Sequence, residues 1–141
     1  MHVFIGGACA GKHAAVRARF PAAGWWRLDE GCALDAWRSW REDAPALVIT
    51  GWAGWLDAAL ATGDDDALRA RLAAELDALC EMERVSGPEL VLILPEMGRG
   101  IVPVDAAARR LRDLVGWFAQ DAAARAETLW YVRHGLTKRL K

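Results

Sequence analysis

Length, composition and charge limit the kinds of protein that this sequence can encode. Of its 141 residues, 54% are hydrophobic, which is enough for the core of one domain spanning residues 1–141 and too little for two full domains. The 18 basic and 19 acidic side chains leave a net charge of −1, which argues against nucleic acid and anionic membrane surfaces as partners. Specific small ligands and other protein subunits are the expected partners.

Cysteine spacing and hydropathy predict where the protein works. The sequence has three cysteines, an odd number, at the widely spaced positions Cys9, Cys32 and Cys80. It lacks the paired CxxC of zinc and redox sites. No run of about 18 uncharged apolar residues occurs, so no membrane span is expected. The first residues enter a strand directly, without a basic leader and cleavage site. We therefore predict a cytoplasmic protein, and no metal site is predicted from the spacing of its cysteines and histidines.

The chain is rich in tryptophan. Its eight tryptophans exceed what a small core buries completely. Two interpretations follow from this number. In the first, some of the rings lie at a subunit interface or in a pocket. In the second, they are partly buried at the edges of the domain.

The first half of the chain alternates predicted strands and helices. Short apolar runs that contain β-branched residues are typical of strands, and alanine-rich segments after glycines are typical of helices. Leu34, Trp37 and Trp40 recur at helical spacing. The predictions are a strand at 2–5, a helix at 14–20, strands at 25–28 and 46–50, and a segment at 55–61 that follows a turn at Gly51.

The second half continues the alternation. A helix is predicted after Gly63 because Asp64, Asp65 and Asp66 suit the positive end of a helix. A second helix is predicted from Asp105, and a basic tail is expected to finish the chain. The remaining predictions are a buried stripe at Leu68, Leu72, Leu76 and Leu79, strands at 90–94 and 129–132, and an apolar helix face at Leu111, Leu114, Val115 and Phe118.

The segment after the first predicted strand fits the pattern GxxxxGK. Small residues at these positions allow successive backbone N–H groups to surround phosphate oxygens at a helix N terminus. Lys12 adds a positive charge for the outer phosphates and is the predicted catalytic residue. Phosphate binding is the functional interpretation, and a merely structural glycine turn is the alternative. This segment, called the glycine loop below, consists of Gly6, Gly7, Ala8, Cys9, Ala10, Gly11 and Lys12.

His13 follows the glycine loop where such proteins carry a serine or threonine whose hydroxyl helps to hold Mg²⁺. Imidazole binds this ion poorly because Mg²⁺ prefers hard oxygen donors. We predict that His13 borders the nucleotide and that metal-assisted phosphoryl transfer is weakened. A nucleophilic role for His13 is the alternative.

Strands separated by helices predict right-handed crossovers and a mostly parallel sheet. With the glycine loop, this order predicts a three-layer α/β fold of the P-loop NTPase type, with about five central strands flanked by helices. Ligands of such folds bind at the carboxyl ends of the strands. Glu96 follows the predicted fourth strand at that edge, where its carboxylate can bind a ribose hydroxyl or a metal-bound water; a salt bridge with Arg99 or another nearby arginine is the alternative.

The carboxyl-terminal half carries a longer signature. The run EMGRGIVP at 96–103, followed by RRLRDLVG at 109–116 and by Gln120, resembles the adenosylcobinamide kinase/adenosylcobinamide-phosphate guanylyltransferase (CobU) family. The family pattern there is approximately E-V-G-x-G-I-V-P and R-x-F-R-D-x-x-G-x-x-N-Q. The glycine loop is similar to the family's GGARSGKS, and Trp55-Leu56 falls at the end of its D-C-L-T-L-W-L segment.

This resemblance implies an activity, ligands and an assembly. Family members phosphorylate adenosylcobinamide with ATP or GTP and then transfer GMP onto the product through a histidine. A purine nucleotide, a corrinoid substrate, Mg²⁺ and a homotrimer are therefore implied. Thr50 stands at the family's strand-end aspartate, and this change, with His13, weakens the implied Mg²⁺ site.

One catalytic residue of the family, the histidine that accepts GMP, has no counterpart that can be matched in this sequence. Between Lys12 and Thr50 the sequence has His13 and no other histidine, so no GMP acceptor can be matched. The resemblance thus favours a kinase without the guanylyltransferase step. The alternative is a catalytically degenerate nucleotide-binding regulatory or assembly subunit.

Overall fold

The structure is a computed structural model that describes residues 1–40, 43–85 and 87–141. Strands and helices alternate along most of the chain, as the sequence predicts. In chain order the elements are β1 (His2–Gly6), α1 (Lys12–Arg19), β2 (Gly24–Arg27), a 3₁₀ turn (Ala36–Ser39), β3 (Ala46–Thr50), α2 (Trp52–Leu60), α3 (Asp65–Val85), β4 (Glu89–Pro95), α4 (Ala106–Arg125), β5 (Thr128–Arg133) and β6 (Leu136–Arg139).

The strands form one six-stranded sheet in the order β2-β3-β4-β1-β5-β6. All neighbours are parallel except β5 and β6. Strand β1 lies between β4 and β5, where Phe4 pairs with Ile93 on one side and Trp130 on the other. The predicted α/β fold with a mostly parallel sheet flanked by helices is confirmed, and it is consistent with a P-loop NTPase-like fold.

Helices cover both faces of this sheet. Alternate residues of its central strands point to opposite faces, so each strand contributes to the core on both sides. On one face Leu47 and Leu92 pack with the helices α2, α3 and α4. On the other face Val48 and Val91 pack with Val16 of α1. The predicted stripe of α3 is confirmed, since the buried residues of this helix are Leu68, Leu72, Leu76 and Leu79.

Aspartates begin the two long helices at the predicted places. The Ala67 backbone N–H donates to Asp64 Oδ2 at 2.9 Å, and the Ala108 N–H donates to Asp105 Oδ2 at 2.8 Å. Each carboxylate satisfies a donor that the first turn of a helix leaves unpaired. In the described part of the chain, no helix combines the length and the apolar character needed to cross a bilayer.

Two details of the elements differ from the predictions. A sixth strand joins the five predicted, because Lys138 and Arg139 of the expected basic tail lie in β6, antiparallel to β5. His134 and Gly135 make the tight turn between these strands, with φ of 53° and 74°. Leu34, Trp37 and Trp40 recur at helical spacing, but the structure forms only a 3₁₀ turn there, at Ala36–Ser39. Leu34 and Trp37 are buried without a continuous helix. The preceding strand ends at Arg27, and residues 41 and 42 lie outside the described part.

The tryptophans divide between the core and its edges. Trp37, Trp52 and Trp55 are buried, and the other five rings keep partial exposure. Partial burial at the edges, one of the two interpretations of the sequence, therefore describes most of them. A subunit interface for these rings stays a prediction.

Candidate functional site

The glycine loop connects β1 to α1 at the carboxyl edge of the sheet. A Cβ atom at Gly6 would overlap the carbonyl oxygen of Val132 in β5, so only glycine allows this close approach. The Gly135 N–H donates to the Ala10 carbonyl at 2.9 Å, which ties the loop to the β5–β6 turn. Cys9 and Gly11 have left-handed backbones, with φ of 55° and 98°. The chain fold itself thus determines the shape of this loop.

Lys12 is the first residue of α1, and its side chain returns over the loop. Its Nζ donates to the carbonyl oxygens of Gly6 and Gly7, both at 2.7 Å. Burial lowers the pKa of Lys12, and the nearby Cys9 and Glu96 partly counteract this effect. The ammonium group is therefore held at the loop by contacts that a phosphate oxygen can replace.

His13 and Thr50 lie next to each other across the site. His13 Nε2 is 3.3 Å from Thr50 Oγ1, at the end of β3. The imidazole also stacks on Trp25 of β2, with the ring centroids 5.7 Å apart and the planes 17° apart. Burial lowers the pKa of His13, and the charges of Lys12, Arg17 and Arg27 lower it further. The neutral imidazole is therefore favoured in the free protein.

Glu96 follows β4 and is held from two sides. Its carboxylate accepts hydrogen bonds from Arg99 Nε at 2.9 Å and from the Tyr131 hydroxyl at 3.0 Å. Its backbone N–H donates to the Gly6 carbonyl at 2.9 Å. The salt bridge with Arg99, the alternative that the sequence left open, is present. The contact with Tyr131, the single tyrosine of the chain, was not predicted, although a partly buried phenol usually needs such a partner.

A cleft of about 560 Å³ opens beside the end of the glycine loop. Of the predicted site residues, Lys12 and His13 line it, and Thr50 joins them from β3; the rest of the glycine loop and Glu96 do not line it. Other lining residues, not predicted from the sequence, lie at the end of β2 and directly after it: Arg27, Leu28, Asp29 and Glu30. Their only sequence signal is that they end a strand of a parallel sheet.

A second cleft, of about 350 Å³, lies between α2 and the start of α3. Trp55, Arg71 and Asp64 are among the residues that line it. Lys12, His13 and Thr50 do not take part in it. The cleft beside the glycine loop is therefore the candidate site, and it is called the loop cleft below.

Comparison with known proteins identifies a family that the chain matches over most of its length. The model of the family described as cobinamide kinase / cobinamide phosphate guanyltransferase matches residues 8–140. The bifunctional adenosylcobalamin biosynthesis protein CobP of Pseudomonas aeruginosa is 35% identical over 126 residues, which are 89% of this chain and 70% of that protein.

Two enteric relatives match over shorter segments. The bifunctional adenosylcobalamin biosynthesis protein CobU of Escherichia coli is 33% identical over 78 residues, which are 55% of this chain and 43% of that protein. The protein of the same name from Salmonella typhimurium is 40% identical over 53 residues, which are 38% of this chain and 29% of that protein. The chain thus matches less than half of the length of these two relatives.

Proposed function

The chain belongs to the cobinamide kinase / cobinamide phosphate guanyltransferase family, and we propose that it binds a purine nucleotide, ATP or GTP, at the glycine loop and in the loop cleft beside it. The backbone of the glycine loop binds the phosphates, Lys12 neutralises the outer phosphates, and His13 borders them. Glu96 contributes a carboxylate at the edge of the sheet, near the ribose.

The position of Lys12 Nζ is the observation that carries this proposal. Its two contacts, at 2.7 Å each, are with carbonyl oxygens of Gly6 and Gly7. These oxygens keep the cation at the mouth of the loop, where an incoming phosphate gains a charge-assisted hydrogen bond. A phosphate also meets the N terminus of α1, whose first N–H groups favour an anion.

The activity that family membership favours is the phosphorylation of adenosylcobinamide, a corrinoid, in cobalamin biosynthesis. The names of the three relatives refer to adenosylcobalamin biosynthesis. The guanylyltransferase step is not proposed. His2 is bonded to Thr128 and Glu89 away from the loop cleft, and His134 is exposed in the β5–β6 turn. A single domain that forms a cytoplasmic homotrimer remains part of the proposal.

A second candidate is a nucleotide-binding regulatory or assembly subunit without catalysis. The contact between His13 Nε2 and Thr50 Oγ1, at 3.3 Å, favours it. These two residues occupy the positions at which the family has a hydroxyl and an aspartate for Mg²⁺. Loss of both ligands weakens phosphoryl transfer more than it weakens phosphate binding, which depends on the loop backbone and Lys12.

One incubation separates the two candidates. The purified protein is mixed with Mg²⁺, labelled ATP or GTP and adenosylcobinamide, and both bound and transferred label are measured. Phosphorylated corrinoid supports the kinase, and bound nucleotide without transfer supports the second candidate. The Lys12→Ala variant is the control, and equal binding by this variant would contradict the proposed role of the loop.

A further inference from the structure

We propose that the loop cleft binds its nucleotide as a metal-free polyphosphate, with the His13–Thr50 pair occupying the positions from which P-loop proteins hold Mg²⁺. This inference rests on the proposed binding of a nucleotide at the glycine loop. It goes beyond that proposal because it specifies the ionic form of the ligand. It also predicts which two substitutions would restore metal dependence.

The donor atoms at the two metal positions do not fit Mg²⁺. This ion takes oxygen ligands in a nearly ideal octahedron and is usually held by carboxylates or hydroxyls together with water. His13 offers an imidazole nitrogen, which is a poor ligand for it. The neutral hydroxyl of Thr50 carries no charge to offset that of the ion. Moreover, Thr50 Oγ1 already has His13 Nε2 as a partner at 3.3 Å.

Three carboxylates lie near the site, and two of them have other partners. Asp29 Oδ1 is 3.7 Å from Arg27 Nε, in an exposed ion pair. Glu96 accepts from Arg99 and Tyr131. The exposed Glu30 lines the loop cleft and has its Oε1 near Gly54 in α2. Asp29 and Glu30 follow β2 and Glu96 follows β4, so none of the three stands at the end of β3, where the family has its aspartate.

The charge around His13 favours an anion over a divalent cation. Lys12, Arg17 and Arg27 are close enough to shift the titration of the ring, and all three disfavour its positive form. A positive potential of this kind repels Mg²⁺ and attracts a polyphosphate. Lys12 and Arg27, which line the loop cleft, therefore supply charge that a metal ion usually brings.

Packing holds the imidazole in place. Its ring stacks on Trp25, and the Arg17 guanidinium lies 4.7 Å from the centroid of the same indole.

The groups that face His13 are Lys12 and Arg17 of its own helix, Trp25 and Arg27 of β2, and Thr50 of β3, with Asp29 and Glu30 lining the same cleft. A bound polyphosphate offsets the repulsion from the three cations, so binding draws a proton onto His13.

Calorimetric titration with ATP and GTP tests this inference, each measured once with EDTA and once with excess Mg²⁺. Because Mg²⁺ binds ATP and GTP in solution and so removes the metal-free ion, the wild-type Kd should rise by about tenfold or more when Mg²⁺ replaces EDTA. The double variant His13→Ser/Thr50→Asp restores the hydroxyl and the carboxylate, and its affinity should rise by about tenfold or more when Mg²⁺ is added. His134→Ser, at an exposed histidine of the β5–β6 turn, is the matched control and should behave as the wild type.

Each contrary result has a distinct meaning. A wild-type affinity that is unchanged by Mg²⁺ or rises with it, or that rises with Mn²⁺ as an ion that accepts imidazole, would overturn the inference and leave nucleotide binding intact. No binding by folded wild-type protein under any condition would overturn the proposed function as well. Circular dichroism reports whether the double variant folds; if it does not, the wild-type comparison with EDTA, Mg²⁺ and Mn²⁺ decides.

Discussion

The two halves of the proposed nucleotide site, the glycine loop and the loop cleft beside it, are built in different ways. In the phosphate half, the glycine loop takes its shape from the backbone. Gly6 lies against Val132, and Ala10 is bonded to Gly135. In the other half, the contact between His13 and Thr50 depends on two side chains. A site made by backbone amides tolerates changes of side chain nearby, whereas a metal site is lost when its ligands change. Phosphate binding and metal binding can therefore separate within one fold.

The strongest way to break the phosphate half is to add one methyl group at Gly6. The Cβ of Gly6→Ala would overlap the Val132 carbonyl oxygen, and neither backbone can move freely inside the sheet. We expect a loss of unfolding free energy of about 3 kcal/mol in a urea titration. Gly7→Ala is the matched control, because nothing lies within 4 Å of its added Cβ. Equal stability of the two variants would show that the loop does not pack as described.

Lys12→Ala should affect ligand binding rather than folding. It removes the cation that contacts the Gly6 and Gly7 carbonyls, and with it a charge-assisted hydrogen bond to phosphate of about 2 kcal/mol. We expect the Kd for ATP to rise by about thirtyfold in a calorimetric titration. Lys138→Ala removes the same charge from an exposed position in β6 and should leave the Kd nearly unchanged.

Glu96→Gln gives a smaller effect whose direction is informative. If the carboxylate binds a ribose hydroxyl, its neutral amide should weaken nucleotide binding by about fivefold. If Glu96 serves only its contacts with Arg99 and Tyr131, removal of a negative charge near the phosphates should strengthen binding instead. Fluorescence titration with a labelled nucleotide distinguishes the two, and tighter binding would remove Glu96 from the proposed site.

The smallest predicted effect is a dependence of affinity on pH. The pKa of His13 is lowered in the free protein, and a bound polyphosphate raises it again, so binding takes up a proton. Affinity should therefore increase as the pH falls from about 8 to about 6, by about threefold. His13→Ser keeps the titration of the nucleotide itself and removes this increment. An identical pH profile for the variant and the wild type would contradict the account.

Much of the fold could be predicted from the sequence because its signals are local. Four leucines at helical spacing mark α3, and aspartates mark the starts of α3 and α4. Strand β6 was missed since all four of its residues are exposed and show no alternation. The dipeptide His134-Gly135 was the available signal, because glycine in a two-residue turn is typical of hairpins.

The candidate site could be predicted only in part. The glycine loop is contiguous in the sequence, so its residues were found together. The contacts of His13 with Thr50 and of Tyr131 with Glu96 join residues that are 37 and 35 positions apart. They depend on the strand order β3-β4-β1-β5, which the sequence does not specify. Arg27, Asp29 and Glu30 join the loop cleft for the same reason.

Phosphorus NMR of ATP and GTP can show whether the glycine loop holds nucleotide phosphates. Spectra are recorded in EDTA with increasing wild-type protein, and again with Lys12→Ala. We expect the β- and γ-phosphate resonances to shift and broaden with the wild type, and much less with the variant. Unchanged resonances in the presence of folded wild-type protein, with or without Mg²⁺, would contradict this role of the loop.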